Sequence, residues 1–92
     1  MNVIAKHIIV KGTVQGVFFR KNTRIKADEL NITGWVKNTD DGHVEILAQG
    51  NENAIEQLIL WCKHGPPKAT VKDVIVKDAK PDHDLQEFLI DR

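Results

Sequence analysis

Gly12-Thr13-Val14-Gln15-Gly16-Val17-Phe18-Phe19-Arg20 is the stretch around which the rest of this sequence is ordered. An apolar run precedes it, glycines punctuate it, and a helical pattern begins where it ends. The preceding run, Ala5 to Val10, is apolar on both parities, with Ile8 and Val10 on one side and Ile9 on the other. That is the pattern of a central strand covered on both faces. Beyond the stretch, Thr23, Ala27 and Leu30 recur at i, i+4 and i+7 within Lys21 to Leu30, and Phe19 extends this stripe toward the N-terminus. Asn31 tolerates left-handed backbone and closes the helix. The stretch is therefore read as a loop, Gly12 to Phe19, joining a strand to a helix.

Working outward, Ile32 to Thr39 reads as a second strand, with Trp35 and Lys37 on one face and Val36 and Asn38 on the other. Asp40-Asp41-Gly42 marks a hairpin turn. Val44, Ile46 and Ala48 alternate in a third strand, which Gly50-Asn51 ends. Asn51 caps a second helix, whose stripe is Ile55, Leu58, Ile59 and Cys62, and Gly65-Pro66-Pro67 stops it. Ala69 to Val76 is a fourth strand. Its apolar parity shifts between Val71 and Val74, which predicts a bulge. A polar loop from Asp78 to Asp84 holds Pro81, and Phe88 and Ile90 indicate a short last strand. The order is β-α-β-β-α-β with a tail strand. The expected fold is an α+β, ferredoxin-like sandwich, an antiparallel sheet with two helices on one face.

The loop has the makings of an anion site. Consecutive backbone N–H groups can ring an anion if the chain curls into a nest, and Gly12 and Gly16 permit the curl. The first turn of the following helix adds unsatisfied N–H groups and the positive end of its dipole. Arg20 stands at that junction, and its planar fork can hold two phosphate oxygens at once. On spacing alone the same residues are equally an ordinary turn. The stretch is not a Walker A loop, since no Gly-Lys-Ser or Gly-Lys-Thr follows. Nor is it the dinucleotide fingerprint, since the third glycine is missing. Asn38 is unusual inside a strand, and its amide can orient a water molecule, although it can also simply open the following turn.

Composition bounds the rest. The 92 residues are expected to form one domain, residues 1–92. Thirteen Lys and Arg balance thirteen Asp and Glu, which argues against a broad basic surface for nucleic acid. No apolar run approaches the roughly 18 residues that span a bilayer, and Met1 to His7 lacks the features of a signal peptide. A cytoplasmic protein is expected. Cys62 is the single cysteine, so no internal disulfide can form.

Gly12 to Arg20 resembles the signature of the acylphosphatases, as does Gly34-Trp35-Val36-Lys37-Asn38-Thr39 followed by Asp41-Gly42-His43-Val44-Glu45. Gly50 and Gly65-Pro66-Pro67 fit the same family, and the resemblance runs through nearly the whole chain. Asn31 stands where a glycine is frequent in relatives, which touches only the helix stop. The resemblance implies hydrolysis of the carboxyl–phosphate bond of acyl phosphates, giving a carboxylate and inorganic phosphate; no cofactor and no metal are expected. It assigns phosphate binding to Arg20 and to the backbone of Val14, Gln15, Gly16, Val17, Phe18 and Phe19. It assigns the orientation of the attacking water to Asn38. Thr39 could support Asn38 or be a plain turn residue. The family also occurs as a domain inside larger maturation proteins, so a non-hydrolytic acyl- or carbamoyl-phosphate binding module is the alternative. A chain that stops at Arg92 favours the enzyme, working as a monomer. An RNA-binding sheet would need aromatic motifs and a basic balance that are missing.

Other residues read as structural. Cys62 lies on the apolar stripe of the second helix and is expected to be a buried thiol. His7, His43, His64 and His83 are too scattered for metal-ligand spacing. Trp35 and Trp61 are expected to pack, and Phe18 and Phe19 to fix the loop against the core, one of them lining the site. Lys21 and Arg24 are expected to be exposed helix charges.

Overall fold

The computed structural model describes residues 3–91. Met1, Asn2 and Arg92, included in the domain expected from the sequence, lie outside the described residues. The chain runs β1 (Ile4–Thr13), α1 (Phe19–Glu29), β2 (Thr33–Asn38), β3 (Val44–Gly50), α2 (Glu52–His64), β4 (Thr70–Ala79) and β5 (Phe88–Ile90). The strands form one sheet in the order β4-β1-β3-β2-β5. β1 lies inside the sheet, antiparallel to both β3 and β4. The expected cover on both faces is not found, since Ile8 and Val10 are buried beneath the helices while Ile9, on the other face, is only partly buried.

One parity of the sheet meets both helices. Ile8, Val10, Val36, Val44, Ile46 and Ala48 share a single buried cluster with Phe19 and Ala27 of α1 and with Ala54, Ile55, Leu58 and Cys62 of α2. Burying such side chains contributes roughly 1.5–3 kcal/mol each before conformational entropy is counted. The helix ends follow their local chemistry. Asn51 accepts a bond from the Ala54 amide at 2.8 Å, a side-chain cap. Asn31 takes φ 58° just past α1, and the Ile32 amide reaches back to Ala27 O at 2.9 Å.

The bulge expected in β4 is present. Lys11 pairs with Asp73 but Gly12 pairs with Val71, so Lys72 is the extra residue and the apolar parity switches across it. Two expectations need correction. β1 continues to Thr13, so Gly12 is a strand residue and the loop proper is 14–18. β4 continues to Ala79, so Asp78 is a paired strand residue that also bridges Lys6, and the loop begins only beyond it.

The sheet is also mixed rather than wholly antiparallel, because β5 adds parallel to β2, with Trp35 opposite Leu89. The cause is the crossing segment. β4 ends at one edge, residues 80–87 cross to the other, and the chain re-enters the sheet running in the direction of β2. Gln49, 6% exposed, clamps this crossing: its Nε2 donates to Asp82 O at 2.9 Å and its Oε1 accepts from Asp82 N at 2.7 Å.

The opposite face of the sheet carries Trp35, and there it packs, against His7 at 6.4 Å between ring centroids and beneath the Lys37 ammonium at 5.0 Å. Glu45 pairs with both His7 and Lys37. Gly34, opposite Ala48 in the sheet, has φ 140°, and a Cβ there would stand 1.8 Å from Leu47 O. Both the conformation and the space exclude a side chain. Gly34→Ala should destabilise the protein by about 2–4 kcal/mol, read as a lower urea midpoint, and a parent-like midpoint would contradict this packing.

Candidate active site

The loop between β1 and α1 is anchored at both ends by burial. Val14 and Phe19 are each 1% exposed, and Phe19 stacks at a tilt on Trp61 with ring centroids 5.3 Å apart. Between them the backbone curls. Gly16 takes φ 75° and Phe18 φ 63°, both left-handed. Gly16 has open space where a Cβ would stand, so its φ is what favours glycine there. Alternating left-handed residues turn successive N–H groups toward one side, the geometry of a nest.

Phe18 departs from its expected role. It is 66% exposed and does not pack into the core, while Phe19 does. Its left-handed backbone makes it the N-cap of α1, and no side chain bonds to the N–H groups there. The amides of Phe19, Arg20 and Lys21 thus open the helix without a side-chain cap, at the positive end of its dipole. A strained non-glycine residue at this point is a feature of functional loops.

A cleft of about 380 Å³ lies against this loop. Its walls are Val14, Gly16, Phe18, Phe19, Arg20, Lys21, Asn38 and Ile90. Arg20 and Asn38, which the sequence places on different elements, therefore share one cavity with the loop backbone. Arg20 Nη1 donates to Asp91 O at 2.9 Å, and Asp91 N donates to Val36 O at 2.8 Å. The segment after β5 thus ties the guanidinium to the strand that carries Asn38. Asn38 Oδ1 is buried and has no hydrogen-bond partner among the described residues. A buried unpaired amide oxygen costs about 1–3 kcal/mol, and the residue that carries it lines the cleft shared with Arg20.

Thr39 serves the turn. Its Oγ1 accepts from His43 N at 3.0 Å and donates to Asp41, and this hydroxyl is the chief cause holding the exposed Asp41 carboxyl below its usual range. Its side chain makes no hydrogen bond to Asn38. The loop and the hairpin are instead joined by Gln15, whose Nε2 donates to Thr39 O and to His43 O, each at 2.8 Å. The family resemblance assigns a role to the backbone of Gln15 alone, and its side chain adds this link. A long amide between two backbone curls was its one signal.

Cys62 is fully buried in the core, where desolvation pushes its thiol up to about 12, so it supplies no nucleophile. Among the described residues no group of three or more His, Cys, Asp or Glu is placed to hold a metal ion. No helix among them is long and apolar enough to cross a membrane.

Comparison with known proteins places the chain in a family. The family profile named Acylphosphatase matches residues 6–90. An acylphosphatase of Haloquadratum walsbyi is 50% identical over 76 residues, covering 83% of this chain and 82% of its own. The crystal structure of acylphosphatase from Bacillus subtilis superposes with a TM-score of 0.92 at 42% identity, covering 97% of this chain and 99% of that one. The structure of HypF from T. kodakarensis also matches, with TM-score 0.85 and 34% identity, but only 12% of that chain is covered. The near-complete coverage of the small enzymes favours hydrolysis over the binding-module alternative. The chain belongs to the acylphosphatase family, enzymes that hydrolyse acyl phosphates to a carboxylate and phosphate.

Proposed function

We propose that the cleft between the β1–α1 loop and β2 is the hydrolytic site, with Arg20 and the backbone amides of Val14 to Phe19 holding the phosphoryl group and Asn38 orienting the water. The observation that carries this reading is the buried, unpartnered Oδ1 of Asn38 in the same cleft as the Arg20 guanidinium. An acceptor of that kind can take one proton of a water and turn its lone pair toward phosphorus.

The reaction asks little of the protein. A carboxylate leaves readily because its conjugate acid is strong, so no general acid is needed. Phosphoryl transfer depends mainly on positioning and on charge stabilisation at the equatorial oxygens, which Arg20 and the loop amides supply. The water oxygen bonds to phosphorus as the phosphorus–acyl oxygen bond breaks. The bond pair leaves with the carboxylate. Asn38 is no base at neutral pH, so one of the water's protons passes to a phosphoryl oxygen while the other stays on the attacking oxygen. The products are a carboxylate and dihydrogen phosphate, which then equilibrates with solvent. Thr39 serves the hairpin that carries Asn38.

The assay is hydrolysis of benzoyl phosphate by the purified chain, with Arg20→Ala as control. Rapid hydrolysis by the parent and not by the variant supports the assignment, and equal rates reject it. No metal enters this mechanism, so EDTA or a stronger chelator should leave kcat and KM unchanged. Loss of turnover restored by a divalent cation would reject the metal-free mechanism. We further propose that residues 1–92 act as one domain, a monomer in the cytoplasm, on a small-molecule substrate without nucleic acid or membrane. Relatives matched along nearly their whole length support the single domain. A reduced, buried Cys62 suits the compartment.

A further inference from the structure

The tip of the phosphate loop has left the sheet, whereas Asn38 is held in it by pairing with Val44. In-line attack requires a fixed offset between the two, because the water must approach phosphorus opposite the leaving oxygen. The Gln15 side chain spans that gap. Its single nitrogen carries two N–H donors, one spent on Thr39 O and one on His43 O. A flipped amide would set Oε1 against two carbonyl oxygens, so chemistry dictates this orientation. Both acceptors are already held by the turn: Gly42 N donates to Thr39 O at 3.2 Å, and Thr39 N donates to His43 O at 2.9 Å. Thr39 directly follows Asn38.

The loop keeps its shape by other means, through the burial of Val14 and Phe19 and the bond from Asn22 N to Phe18 O at 3.1 Å. We infer that Gln15 is a positioning residue for turnover: its amide fixes the phosphate loop against the Thr39–His43 hairpin and so sets the line along which the Asn38-oriented water meets phosphorus. This inference rests on the assignment of Arg20, the loop and Asn38 proposed above. It separates two functions of one loop. The backbone amides bind phosphate, and the Gln15 side chain registers that phosphate against the nucleophile.

Gln15→Met keeps the length and removes both donors. Each carbonyl retains its backbone bond, so the unfolding midpoint should move little. The expected result is a fall in kcat on benzoyl phosphate of about 10- to 100-fold, with KM and the inhibition constant of inorganic phosphate close to parent values. Gln15→Ala, also without donors and adding no charge beside the anion, should give the same split and covers the case in which Met disturbs folding. In an Asn38→Ala background, Gln15→Met should cost little more, since the water it helps to register is no longer oriented. Parent-like kcat in both Gln15 variants, a full additional loss in the double variant, or a loss confined to phosphate affinity would each overturn the inference. If Asn38→Ala alone retained turnover, the assignment of the water-orienting residue would fall first and the inference with it. An Asn38→Ala loss beside an intact Gln15→Met would overturn the inference alone.

Discussion

Arg20→Ala should lower kcat/KM on benzoyl phosphate by roughly 10³-fold or more, the scale on which an arginine acts in phosphoryl transfer. Both kcat and KM should suffer, because in the proposed mechanism the guanidinium holds the phosphoryl oxygens in the ground state and faces their charge as the bond breaks. Arg20→Lys tests the more specific point. Lysine keeps the positive charge but is a compact ammonium that cannot span two oxygens in one plane. It would also have to find Asp91 O from a different geometry, losing the tie that runs through Asp91 to Val36. Activity should therefore remain severely reduced, and a lysine variant as active as the parent would remove the bidentate clamp from the mechanism. Neither variant should be confused with an unfolded one. The Arg20–Asp91 bond is exposed, and its loss should cost within about 1 kcal/mol of stability. Unfolding curves beside the kinetics would show midpoints near the parent's with activity gone.

What could be read in the sequence, and what could not, divides along a physical line. Side-chain periodicity and turn chemistry are local, and they located every helix and strand, the Asn51 cap, the Asn31 stop and the bulge at Lys72. Signals that depend on backbone groups elsewhere have no local trace. The parallel addition of β5 follows from how residues 80–87 cross the sheet, and a three-residue strand announces nothing about its direction. The left-handed, exposed state of Phe18 contradicts the preference of an aromatic residue, so composition pointed it inward. The partner of Arg20 is a main-chain carbonyl, and any residue at position 91 could provide it. Arg20 and Asn38 were visible as residue types in unusual places. Their convergence on one cleft was carried by the family resemblance and is accounted for by the strand order, which sets β2 beside β3 and within reach of the loop leaving β1.

Asn38→Ala should lose turnover while keeping the protein folded and able to bind phosphate. The Asn38 side chain makes no hydrogen bond within the protein among the described residues, and its Oδ1 is buried without a partner. Removing it breaks no intramolecular bond and relieves a desolvation cost, so the unfolding midpoint should hold or rise slightly. In the proposed mechanism the phosphate contacts come from Arg20 and the loop amides rather than from Asn38, so the inhibition constant of inorganic phosphate should stay near the parent's. The loss should appear in kcat, on the order of 10²–10³-fold, comparable to removing one well-placed polar group from a site that works by preorganisation. Added base should not restore it, since the role proposed for Asn38 is to orient the water and not to accept a proton. Stability retained and turnover lost is the pattern of a residue kept for function at some cost to the fold. Near-normal turnover in Asn38→Ala would instead mean that the loop and Arg20 suffice to align the water, and that the buried oxygen of Asn38 belongs to the hairpin alone.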